Sequence, residues 1–243
     1  RDLAPLLDAA GIQGTVAVQC APSVAETEYL LGIADATPWV LGVVGWVDFA
    51  DPGHLDALDR LARHPCLKGF RAMVQDMPDP EWILRPELDW AFRALVAHDL
   101  AFEALVRPAH LPALARLIER HPGLRVVIDH AGKPPLRDGD TGDWARDIAR
   151  IARHSGALCK LSGLATLLGP GWTAEALQPT VDHLIDTFGP GRLMWGSDWP
   201  YVTLASSYQR WADAAADLVT ACSAGEQLAI FGGTAAAFYR LPG

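Results

Sequence analysis

"VLGVVGWV", residues 40–47, decides the fold. Eight residues pass without a charged side chain. The run is short for a helix and lacks the polar alternation of a strand with one wet face. A strand covered on both faces reads this way, as in a parallel sheet packed between helices or closed into a barrel. Six further runs of the same kind lie outward from it: "GTVAVQ" (14–19), "LKGFR" (67–71), "LAFEALV" (100–106), "RVVIDH" (125–130), "ALCKLS" (157–162) and "RLMWG" (192–196). Successive starts are 25 to 35 residues apart, which leaves room for one helix between each pair.

The intervening segments carry helix-end signals. Ser23-x-x-Glu26 and Ser223-x-x-Glu226 are capping-box patterns, Asp51-Pro52 sets an N-cap before proline, and Pro86 opens "PELDWAFRALVAHD". Strand–helix alternation of this kind predicts a parallel sheet with right-handed crossovers. Neither GxGxxG nor GxxxxGK[ST] is present, so a doubly wound nucleotide-binding sheet is disfavoured. The expected fold is an α/β, TIM-type (β/α)8 barrel, as a single domain over 1–243. Its first strand, which would precede a leading helix at 1–10, is expected to be absent from this sequence.

Composition narrows the function. The net charge of -9 argues against nucleic acid and anionic membrane as partners, and no apolar run reaches spanning length. No signal peptide is visible. Cys20, Cys66, Cys159 and Cys222 form no CxxC and read as reduced thiols of a cytoplasmic protein.

A barrel places its chemistry at the C-terminal ends of its strands, and that rule sorts the candidates. Asp198 lies just beyond "RLMWG", beside Trp199 and before Pro200. Burying a charge costs several kcal/mol unless it has a partner or a task, so Asp198 is expected to be a general base. His130 ends "RVVIDH" and leads into the proline-stiffened "AGKPP". His110, after "LAFEALV", is either a substrate contact or the opening of a helix. His64, His98, His121 and His154 fall at helix ends, and His54 and His183 within helices, where packing roles are expected.

Asp129 neighbours His130, so it is expected on the opposite strand face as a partner for backbone groups. Asp48 is a turn cap or a site residue, and Glu103 is a mid-strand carboxylate without an assigned task. Arg71 and Gln75 are expected to hold an anionic or hydroxylated substrate, and Lys160 to point inward toward a partner. Lys133 is expected in a surface salt bridge. With no GxSxG, no HExxH and no cysteine beside a histidine in a recognisable motif, a serine or thiol hydrolase is disfavoured. A carboxylate, a histidine and an arginine on separate strand ends point instead to water activation and carbonyl polarisation.

"KGFRAMVQDMPDPEWILRP" (68–86), "RVVIDHAGKPP" (125–135), "CKLSGL" (159–164) and "RLMWGSDWP" (192–200) resemble, in this order, the amidohydrolase-related sugar lactonases. "GVVGWVD" (42–48) and "IFGGTAAAFYRL" (230–241) extend the resemblance over nearly the whole chain. It implies a barrel that hydrolyses a small-molecule sugar lactone to its hydroxy acid. Asp198 would be the base and His130 would sit at the same reaction centre, orienting the substrate or stabilising the oxyanion. Arg71 and Gln75 would lie in the substrate pocket, with His110 and Lys160 as further contacts and Trp46 and Trp199 as walls against the sugar ring. Relatives also carry a His-x-His pair on their first strand, and an acidic residue where Leu167 stands here. A divalent metal, zinc first, would be held by His130 and Asp198 if one is bound. The rival expectations are a decarboxylase or carboxylated-lactone hydrolase on the same barrel, or an inactive binding relative.

Overall fold

The computed structural model describes residues 2–242. All seven predicted runs are strands: β1 Thr15–Val18, β2 Val40–Gly45, β3 Leu67–Ala72, β4 Ala101–Ala104, β5 Arg125–Ile128, β6 Leu158–Leu161 and β7 Leu193–Trp195. They pair in parallel, in the order of the sequence, to form one curled sheet of a TIM-type barrel. Most strands are shorter than the runs that announce them. Residues such as His130, Ser162 and Gly196 have left the sheet and belong to the mouth.

The leading helix spans Ala4–Ala9, Arg1 lying outside the described residues. Ser23 Oγ accepts from Glu26 N, but the Glu26 carboxylate turns to the N–H groups of Cys20 and Ala21, so only half of that capping box closes. At Ser223 and Glu226 both halves close. His54 ends a short turn, Pro52–His54, rather than lying within a helix, because its Nδ1 accepts from Asp48 N at 2.8 Å. Asp51 caps that turn by accepting from Gly53 N at 2.8 Å, and Asp48 closes the bend before it by accepting from Ala50 N at 2.9 Å.

Two apolar layers hold the sheet. The outer one packs Phe70 and Phe102 against helix residues such as Phe92, Leu114 and Ile148. The inner one fills the barrel with Val44, Ala101, Val127 and Met194, closed by Phe238 and Tyr239 of the helix Thr234–Tyr239. That helix enters from the N-terminal end of the strands, where the Arg125 guanidinium lies 4.9 Å above the Phe238 ring. Parallel register aligns Arg71, Glu103 and Val127, so strand alternation sends all three into the barrel. The four cysteines are unpaired, and no helix among the described residues is long and apolar enough to cross a membrane.

Candidate active site

Beneath the mouth lies a buried line of alternating charge. Glu103, fully buried, accepts from Lys160 Nζ at 2.6 Å and from the Tyr239 hydroxyl. Lys160 Nζ also stands 2.8 Å from Asp129 Oδ1. Asp129 Oδ2 takes Arg71 Nη1 at 3.1 Å, and Arg71 Nη2 donates to the Gln19 carbonyl. Burial opposes charge on Asp129, yet Lys160 and Arg71 hold its carboxyl well below the usual range. For Glu103 burial wins over Lys160, and its pKa rises.

This corrects the expectation for Asp129. Alternation does separate it from His130, but it continues the inner series Arg125, Val127, and so it is Asp129 that points into the barrel. His130 returns to the centre by another route. His130, Ala131 and Lys133 all have positive φ (49°, 54° and 56°), and this left-handed turn swings the imidazole back over the mouth. Gly163 makes room for it. A Cβ there would meet His130 Nδ1 at 2.8 Å, and its φ of +70° suits glycine.

His130 Nδ1 pairs with Ser162 Oγ at 2.8 Å, and Nε2 faces Asp198 Oδ1 at 3.8 Å. That separation exceeds a hydrogen bond, and the two atoms can share a small polar partner placed beside them. Burial pushes the His130 pKa down, against Asp198 and Asp129, so the ring is neutral near neutral pH. Asp198 also has positive φ (55°), and its side chain is 21 % exposed, open to a substrate.

The sequence-predicted residues divide accordingly. Asp198 and His130 meet at the mouth. Arg71 and Lys160 lie in the ion line below, their charges already engaged. Gln75 Oε1 receives Lys133 Nζ, so Lys133 is not in the expected surface salt bridge. Of the two expectations for His110, substrate contact or helix opening, its position just before the helix Leu111–Arg120 matches the second. Its Nδ1 accepts from Arg107 N and its Nε2 lies 3.3 Å from the Met77 carbonyl, so backbone groups occupy both nitrogens. The Trp46 ring meets His54 edge-on at 6.0 Å, and Trp199 packs half-buried against the outer core. Ser162, Glu103 and Tyr239 were not singled out as partners. A serine immediately past a strand end and a charge in mid-strand were the available signals.

For a metal, His130 Nε2 and Asp198 are the donors at the mouth, and their chemistry suits zinc. No third His, Cys, Asp or Glu joins them at ligand spacing among the described residues. The cluster with that spacing, Asp35, His64 and Cys66, lies at the opposite end of the strands. There Cys66 N–H donates to His64 Nδ1, which puts the ring proton on Nε2, toward Asp35.

The parallel barrel thus carries a carboxylate and a neutral histidine at its C-terminal mouth, where barrels of this kind place their chemistry. The chain belongs to the amidohydrolase family, which it matches over residues 1–241. It is 43 % identical over 247 residues to an L-fucono-1,5-lactonase of Burkholderia ambifaria, covering 99 % of this chain and 84 % of that protein. Identity to an L-fucono-1,5-lactonase of Burkholderia multivorans is 36 % over 261 residues, covering 99 % and 85 %. A crystal structure of a Burkholderia multivorans amidohydrolase with bound zinc superposes with a TM-score of 0.93 at 34 % identity, over 99 % of this chain and 88 % of that one.

Proposed function

We propose that this chain is a sugar-acid lactonase that opens an aldonolactone of the L-fucono-1,5-lactone kind. The observation that carries the reading is the 3.8 Å gap between Asp198 and His130 Nε2 at the barrel mouth, in a chain 43 % identical to a lactonase. Asp198 takes a proton from a water bound beside the pair, and the water oxygen attacks the ring ester carbonyl. His130, fixed by Ser162 and kept neutral by burial, orients the water and the substrate. Asp129 sits one residue before His130 and is braced by Lys160 and Arg71, so the ion line holds the turn that presents the imidazole. Lys160 and Arg71 act by positioning rather than by touching the sugar.

His130 and Asp198 would hold zinc as part of a site, and a bound divalent ion would polarise the lactone carbonyl or the water. The same reading places the enzyme in carbohydrate metabolism, and the four unpaired cysteines accord with a cytoplasmic location.

The test is acid release from a panel of 1,5- and 1,4-aldonolactones, with 2-pyrone-4,6-dicarboxylate as the carboxylated contrast. Rapid opening of a neutral sugar lactone is expected. A folded protein that opens none of the sugar lactones would overturn the reading.

A further inference from the structure

Water addition to a lactone carbonyl leaves a negative oxygen, which a hydrolase must meet with a cation or with strong donors. Most charges near this mouth are already committed. Arg71 serves Asp129 and the Gln19 carbonyl, and Lys160 serves Glu103 and Asp129. Burial keeps His130 neutral.

Lys133 is placed differently. Among the described residues it has no carboxylate within ion-pair distance, and its Nζ donates to the neutral Gln75 Oε1. Gln75 is itself anchored, with N–H to the Leu105 carbonyl at 2.8 Å and its own carbonyl receiving Arg107 Nε at 3.0 Å. An amide holds an ammonium in place without cancelling its charge. The lysine stands three residues after His130 on the same left-handed turn. Trp144 Nε1 pins that turn through the Ala131 carbonyl at 2.7 Å.

We propose that Lys133 is the cation that meets the oxyanion of the tetrahedral intermediate and then the product carboxylate, with Gln75 aiming it. The assignment rests on the lactonase reading. Water oxygen bonds to the carbonyl carbon, its proton passes to Asp198, and the carbonyl pair moves onto the oxygen beside Lys133. The carbonyl re-forms as the ring C–O bond breaks, and the ring oxygen takes up the proton that Asp198 had accepted. Burial and the facing Arg107 lower the Lys133 pKa, while Asp198, Asp129 and Asp76 pull it upward.

The experiment compares wild type, Lys133→Met and Lys133→Arg on the lactone that wild type opens fastest, reading kcat, KM and inhibition by the product acid. Lys133→Met is expected to lose about 10²–10³-fold in kcat, the usual effect of removing one oxyanion donor. It should also bind product more weakly. Lys133→Arg is expected to recover most of kcat and to keep activity to higher pH than wild type. Wild-type kcat in Lys133→Met overturns the proposal, as does an arginine variant no better than methionine. If the methionine variant does not fold, an unmoved alkaline limb in Lys133→Arg overturns it. A wild type inert toward every lactone removes the lactonase reading as well, so the two failures are distinguishable.

Discussion

At His130 the decisive quantity is the price of protonation. Burial disfavours the imidazolium, so the ring stays neutral below the ordinary histidine pKa of about 6.5. Activity is therefore expected to hold on acidification past that value and only then to fall. Stability follows the same sign. The folded-state pKa is depressed, so the contribution is present above about pH 6.5 and is lost as pH falls through the folded value. Thermal melting of wild type and His130→Asn between neutral and mildly acidic pH checks this, the wild type losing more. Equal losses would contradict it. Gly163 gives a second test at this scale. In Gly163→Ala the added methyl meets the imidazole, and φ of +70° strains the backbone by about 1–3 kcal/mol. At least a tenfold loss of kcat is expected from the displaced ring, and a wild-type kcat would contradict the packing described.

At the scale of elements, each strand contributes through its inner face. Arg71 on β3, Glu103 on β4 and Lys160 on β6 are charged residues inside otherwise apolar runs, and alternation alone sends them toward one another. Tyr239 brings the final helix into the same line from below. Removing one member leaves another buried charge short of a partner. Glu103→Gln takes one of the two carboxylates from Lys160, which keeps Asp129, and is expected to cost about 1.5–3 kcal/mol. Tyr239→Phe removes one hydrogen bond to a charged group and is expected to cost about 1.5–3 kcal/mol. Chemical denaturation measures both, and a glutamine variant as stable as wild type would contradict the ion line. The charges were legible in the sequence as anomalies, but their pairing was not. Asp129 shows why: the parity of β5 was readable, whereas the turn that carries His130 back over the mouth depends on three positive φ angles that no residue type in "DHAGK" demands, glycine apart.

Across the whole molecule, the legible part is what burial on both faces imposes. Seven apolar runs became seven parallel strands in sequence order, because each needed cover from helices outside and packing inside. That Asp198 and His130 lie together at the mouth was legible for a related reason, since an ionisable residue at the end of a buried strand is costly without a partner. Lys133 and Ser162 were not, because a lysine in a loop and a serine after a strand fit the surface equally well. Their partners, Gln75 and His130, lie 58 and 32 residues away in sequence, where no local pattern reaches. The most direct test of the account is the initial rate of acid release from L-fucono-1,5-lactone by wild type and by Asp198→Asn, at neutral pH and with matched folding. A fall of about 10²–10⁴-fold in the variant is expected if Asp198 activates the water. A variant within about twofold of wild type would contradict it.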